Sequence, residues 1–212
     1  MKNVRVVFSK TGRARYISHL DLAHTMARVT RRAAIPLWYT EGFNRHPYLT
    51  FASPLSLGYE GLRETMDIRL EEDMSEEELI RRLNEAMPEG LSAVSAAEAV
   101  HKPGELSAAR YRITLTCPTE SVKELLNQPA VLVEKRTKKK TVKTVDIRPA
   151  FAGSVVTESD DGCIVEVTLP CSGDETVNPA LLLRALDDRY DAAYTCTVLR
   201  TELLLADGTP FR

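Results

Sequence analysis

The order of two capped helix starts among short β-like runs limits the folds open to this chain more than any other feature. Ser18 with Asp21 three residues on, and Ser75 with Glu78, have the spacing at which a cap hydroxyl and a third-position carboxylate satisfy the free amides of a first helical turn. Before the first start lies the β-branched run Val4–Phe8. After it, apolar positions recur at helical spacing from Leu20 to Ala33, and Ile35-Pro36 ends the helix because a residue before proline avoids the α region. Leu37–Thr40, Leu49–Ala52 and Glu64–Leu70 read as strands, with Gly42–Pro47 as a loop; in the last strand Thr65, Asp67 and Arg69 alternate with Met66, Ile68 and Leu70. The second helix carries Leu79, Ile80 and Leu83 and stops at Pro88-Glu89-Gly90, and Leu91–Val100 returns as a strand. The order is β-α-β-β-α-β.

The second half repeats this order. Arg110–Cys117 alternates as a strand, and Pro118–Asn127 reads as a short helix. Val131–Glu134 and Val142–Phe151 are strand candidates around a basic hairpin, and Cys163–Leu169 is a strand. Asn178-Pro179 opens the helix Leu181–Leu186, and Tyr194–Leu205 is the last strand. The repetition predicts an α+β protein of two tandem ferredoxin-like (βαββαβ) domains with antiparallel sheets. The boundary is expected at His101-Lys102-Pro103-Gly104, giving domains 1–103 and 104–212.

Charge follows the same period. Residues 1–50 hold nine Lys/Arg and two Asp/Glu, residues 51–100 four and twelve, residues 101–150 eleven and five, and residues 151–212 four and eleven. The formal net charge of −2 therefore conceals basic and acidic quarters in alternation, which fits a duplication or, more plainly, solvated faces.

Four stretches carry the candidate chemistry. The turn from Lys10 to Asp21 brings Lys10, Arg13 and Arg15 to a helix N-terminus, an arrangement suited to a phosphate, although Ser18 and Asp21 alone would explain it as a cap. Along the first helix His24, Arg28 and Arg31 recur at i, i+4 and i+7 with Arg32 beside them, and Asp21 is the acid on that stripe. Such one-signed charge fits nucleic-acid phosphates or an acidic partner, or else a plain solvated face. In and just after Thr40–Pro47, Phe43 and Tyr48 offer rings for base stacking with Asn44 and Arg45 as donors, against a plain loop with a buried Phe. Lys135, Arg136, Lys138, Lys139, Lys140 and Lys143 put six cations into nine residues at a hairpin tip, a density expected to meet phosphates.

Catalytic signals are thinner. His19 and His46 form a possible acid/base pair for RNA strand cleavage without a metal. His19, Asp21 and His24 do not share a helix face, so no metal site is expected. A phosphate-binding Walker loop, a dinucleotide fingerprint and a nucleophile elbow are all missing from the sequence, so no cofactor is expected. Cys117, Cys163, Cys171 and Cys196 lie scattered as reduced thiols, without the three-cysteine cluster of an iron–sulfur protein. The longest apolar runs fall short of a membrane span, and the first residues lack the apolar stretch of a signal peptide, so the expected location is the cytoplasm.

The stretch Lys10-Thr11-Gly12-Arg13-Ala14-Arg15-Tyr16-Ile17-Ser18-His19-Leu20-Asp21 resembles the signature of the radical SAM-linked protein family, a domain of unknown function. Arg31-Arg32-Ala33, Tyr39–Pro47, and Phe51-Ala52-Ser53-Pro54-Leu55-Ser56-Leu57-Gly58 carry the same likeness, and Lys143–Pro149 extends it more loosely; Arg45 stands where the family pattern usually has proline. The resemblance implies a bacterial accessory protein that works with a radical SAM enzyme, with RNA such as tRNA or rRNA as the shared target. A more distant likeness, in element order and in a histidine-bearing first helix, is to the ferredoxin-like CRISPR repeat-processing endoribonucleases. Their glycine-rich C-terminal loop is reduced here to Gly208. The expectation is thus an RNA-binding accessory module; the alternatives are a metal-independent endoribonuclease using His19 and His46, and a protein-interaction module that docks on a radical SAM partner without touching RNA.

Overall fold

The computed structural model describes residues 1–136, 141–172, 176–189 and 193–212, with the Arg136 side chain left aside. Among these residues the chain is a mixed α/β protein with four α-helices and a largely antiparallel sheet. It divides into two compact units, Met1–Leu106 with Arg200–Arg212, and Ser107–Leu199.

In the first unit β1 (Lys2–Lys10) lies between β3 (Glu60–Leu70) and β4 (Leu91–Glu98), antiparallel to both, and the short β2 (Leu49–Phe51) pairs with β3. Val4, Val6, Phe8, Met66, Ile68 and Leu70 form the core with Leu22, Met26 and Val29 of α1 (His19–Arg32) and Leu79 and Leu83 of α2 (Glu76–Ala86). Each fully buried side chain of this size contributes about 1.5–3 kcal/mol. Arg5, in the middle of an apolar strand, is buried: it grips Asp67 of β3 through Nε and Nη2 at 2.6 and 2.8 Å, donates to the His101 and Arg212 carbonyls, and lies 3.9 Å over the Phe211 ring.

The expected strand over 37–40 is reduced to isolated bridges, Leu37 to Leu70 and Tyr39 to Pro47. Pro36 and Pro47 lack the amide hydrogens that would extend a ladder on either side. β3 begins four residues earlier than its alternation announces.

In the second unit β9 (Gly162–Pro170) pairs with β5 (Ala108–Leu115) and with β8 (Val155–Ser159), both antiparallel. α3 (Thr119–Leu126) and α4 (Ala180–Asp187) bury Val122, Leu125, Leu182 and Leu186. β6 (Leu132–Arg136) and β7 (Val142–Asp146) form a separate two-stranded sheet. β7 stops at Asp146 rather than reaching Phe151, because the Asp146 carboxylate accepts the amides of Val131 and Arg148 and turns the chain. β8 carries too little apolar alternation to show in the sequence, with Val156 and Ser159 its half-buried positions. β10 (Cys196–Leu204) passes into the first unit at Arg200. No helix among the described residues is long and apolar enough to cross a membrane.

Candidate nucleic-acid interface

α1 presents two different faces. Leu22, Met26, Val29 and Thr30 are buried, whereas His24, Arg28 and Arg31 are exposed. Its first turn is closed from within: the Ser18 hydroxyl accepts from the Asp21 amide at 3.2 Å and donates to the Asp21 carboxylate at 2.7 Å. Its last turn is closed by Ala34 in the left-handed region, φ 50°, with the Ile35 amide donating back to the Thr30 carbonyl. Arg32 donates to the Ala86 carbonyl at the end of α2, and Arg82 of α2 reaches the Ala34 carbonyl at 3.4 Å, so the two helices cap each other's C-terminal ends. Arg32 is thereby engaged in holding α1 to α2.

The neighbouring helix shows what this stripe lacks. On α2, Arg81 meets Glu78 at 2.8 Å and Glu85 at 2.6 Å, and Arg82 meets Glu78 at 2.6 Å. Those arginines hold the Glu78 carboxyl down to about 2. Among the described residues, His24, Arg28 and Arg31 of α1 make no ion pair.

The turn before α1 is built around Lys10, which is only 1% exposed. Its ammonium donates to the Arg15 carbonyl at 3.2 Å and so holds the 3-10 turn Gly12–Tyr16. Burial pushes Lys10 below the ordinary lysine value of 10.5, Glu64 pulls it back up and Arg200 lowers it further. Glu64 in turn accepts from Nε of buried Arg200 at 2.9 Å and from its Nη2, and Arg200 also donates to the Ser53 hydroxyl and carbonyl. Lys10 therefore faces a buried ion network, while Arg13 is exposed. Arg15 lies 4.9 Å over the Tyr16 ring and donates to the Tyr16 hydroxyl. Gly90, with φ 84°, lets its carbonyl accept the Thr11 amide; an added Cβ would sit 2.5 Å from the Thr11 oxygen.

The loop at 40–48 is pinned at its base and open at its tip. Thr40 and His46 exchange backbone and side-chain hydrogen bonds, and His46 Nδ1 lies 3.1 Å from Thr40 Oγ1 and 3.2 Å from the Asn44 carbonyl. Phe43 is fully exposed, and Asn44 and Arg45 beside it are exposed. Arg69 lies 4.8 Å from the Trp38 ring and 4.6 Å from the Tyr48 ring, a ring–guanidinium–ring cluster with no spacing signal in the sequence. His19 packs edge-on against Phe51 at 5.2 Å. The two histidines share no partner among the described residues.

On the β6–β7 hairpin Lys135 and Lys143 are direct cross-strand neighbours, an arrangement that like charges oppose. Lys135 turns its ammonium to the Thr176 carbonyl at 2.8 Å, and Lys143 is exposed. Lys138, Lys139 and Lys140 lie outside the described residues, as does the Arg136 side chain.

Among the described residues no group of three or more His, Cys, Asp or Glu side chains is set to hold a metal ion. The four cysteines are free thiols, and burial pushes Cys163 up to about 12.

Two comparisons bear on identity. The model of a family described as an uncharacterized protein conserved in bacteria (DUF2344) matches residues 3–179. No curated protein matches the chain.

Proposed function

We propose that this chain, which belongs to the uncharacterized bacterial family DUF2344, is an RNA-binding accessory module that acts with a radical SAM enzyme in RNA modification or processing in the cytoplasm. The observation that carries the RNA reading is the contrast between the two helices of the first unit. α2 neutralises Arg81 and Arg82 with its own glutamates, while α1 leaves His24, Arg28 and Arg31 without an acid among the described residues. Arg28 and Arg31, cations without an acid, are stabilised by phosphates, which also release their counterions on contact. Phe43, with Asn44 and Arg45 beside it, adds an exposed ring on which one base can stack. In the second unit exposed Lys143, facing Lys135 across the hairpin, is a further cation that a phosphate can neutralise.

The radical SAM partner and the choice of tRNA or rRNA come from the resemblance carried by the stretch from Lys10 to Asp21. The tandem ferredoxin-like reading, 1–103 and 104–212, belongs to the same proposal. Its support is the strand order β4-β1-β3-β2 in the first unit and the pairings of β5 with β9 and β9 with β8 in the second.

Fluorescence anisotropy with single-stranded and hairpin RNA over a salt series tests the RNA reading. With about six phosphate contacts, log K for the single strand falls against log salt with a slope of roughly −4. A flat salt dependence, or no binding at low salt, overturns it.

A further inference from the structure

Residues 143–149 do more than close the hairpin. Asp146 Oδ1 accepts the Val131 amide at 2.8 Å and the Arg148 amide at 3.0 Å, and the Ile147 amide donates to the Val131 carbonyl. Ile147 and Phe151 are buried, and the Phe151 amide donates back to the Ile147 carbonyl. The backbone that carries Arg148 is thus fixed on both sides, and the half-buried Arg148 side chain lines a cleft of about 180 Å³. Lys123, Asn127 and Ser154 line the same cleft, and Leu126 and Phe151 form apolar parts of its wall.

The composition of this lining singles it out. Four other clefts among the described residues each carry at least one Asp or Glu, whereas this one carries none. Among the described residues Arg148 has no ion pair. Lys123 holds Glu120 at 3.1 Å on the helix surface, a solvent-exposed pair that competes weakly with a ligand. A guanidinium, an ammonium and an amide, with no carboxylate, match a tetrahedral oxyanion, two of whose oxygens the planar fork of arginine can engage at once; the Ser154 hydroxyl donates instead to the Phe151 carbonyl. The C-terminal end of α3 opposes an anion with roughly half an elementary charge, which two full cations outweigh.

Size narrows the ligand. At about 30 Å³ per water, the cleft holds a phosphate group and part of its hydration shell. It is smaller than the roughly 300–1,000 Å³ of sites that enclose a whole small molecule. We infer that the cleft between α3 and residues 148–156 is a phosphate-binding site, seating either a terminal phosphate monoester or a backbone phosphodiester of RNA. The site is independent of the α1 stripe and stands whether or not that stripe binds RNA.

Amide NMR of the full-length chain tests this with inorganic phosphate first, then with a short RNA carrying or lacking a 5′-phosphate, and with chloride as the control. Phosphate is expected to move the amides of residues 148–154 saturably while chloride leaves them in place. Arg148→Ala weakens phosphate binding about tenfold or more, and Arg148→Lys restores part of it. Shifts at these amides with the 5′-phosphorylated RNA alone identify a monoester; equal shifts with both RNAs identify the backbone. If Arg148→Ala does not fold, Lys123→Ala replaces it, with the same direction expected. The inference is overturned if neither phosphate nor either RNA moves these amides, or if a folded Arg148→Ala or Lys123→Ala variant binds phosphate as tightly as the parent. Charge reversal on α1 leaves phosphate binding here unchanged, so failure of this site and failure of the α1 reading are distinguishable.

Discussion

Replacing Glu64 by alanine removes the carboxylate that offsets Arg200 and Lys10 in the interior of the first unit. All three side chains are nearly inaccessible, at 4%, 3% and 1% exposure for Glu64, Arg200 and Lys10. Losing one partner of a buried ion pair costs about 3–5 kcal/mol, since the remaining charge is left without compensation. Arg200 keeps its bonds to the Ser53 hydroxyl and carbonyl, which places the expected loss near the lower end, about 3 kcal/mol. For a 212-residue chain unfolding as one cooperative unit that lowers the melting temperature by roughly 6–12 °C. Scanning calorimetry with parallel urea unfolding measures it. Replacing both partners together, Glu64→Leu with Arg200→Met, recovers most of the loss, because no stranded charge remains. A loss under about 1 kcal/mol for Glu64→Ala, or a double variant no better than the single one, refutes the assignment of this network as a coupled buried unit.

Four further outcomes follow from the same structure. Burial holds Lys10 below its ordinary 10.5, so between that lowered value and 10.5 the unfolded chain binds more protons than the folded one; stability therefore rises with pH toward 10.5, and Lys10→Met flattens that rise in urea titrations at successive pH values. Ala34→Gly relieves a left-handed non-glycine residue and raises unfolding stability by about 1 kcal/mol. Gly90→Ala does the reverse at φ 84° against the Thr11 oxygen, lowering stability by more than about 1 kcal/mol in the same assay. Phe43→Ala leaves the melting temperature unchanged and weakens single-stranded RNA binding by about 1–3 kcal/mol, read by anisotropy.

The first unit was legible where a local signal was strong. Ser18 with Asp21 and Ser75 with Glu78 mark helix starts within a residue, because capping is chemistry between neighbours. The alternation of Thr65 to Leu70 announces β3, because one face is core. The exposed stripe of His24, Arg28 and Arg31 follows from helical spacing alone. Lys10 was legible as a cation but not as a buried one: its environment comes from Glu64 and Arg200, more than fifty and almost two hundred residues away in sequence. Separation along the chain likewise hides Arg5 with Asp67, 62 residues apart, and Arg69 with Trp38 and Tyr48, 31 and 21 residues apart. Arg32 looked equivalent to Arg28 and Arg31, and only the crossing of α1 with α2 turns it to the Ala86 carbonyl. In the second unit the pattern of β8 is too polar to signal a core face, and Arg148 lies in a segment whose function no spacing rule exposes.

The central claim is that the unpaired cations of α1 meet RNA phosphates. It is tested most directly by the salt dependence of RNA affinity in Arg28→Glu with Arg31→Glu, compared with Arg81→Glu on the self-neutralised face of α2. The α1 variant is expected to bind more weakly and to lose about two from the magnitude of the salt slope, while the α2 variant keeps the parent slope. Equal slopes in the parent and the α1 variant, or an equal loss from the α2 variant, contradict the account.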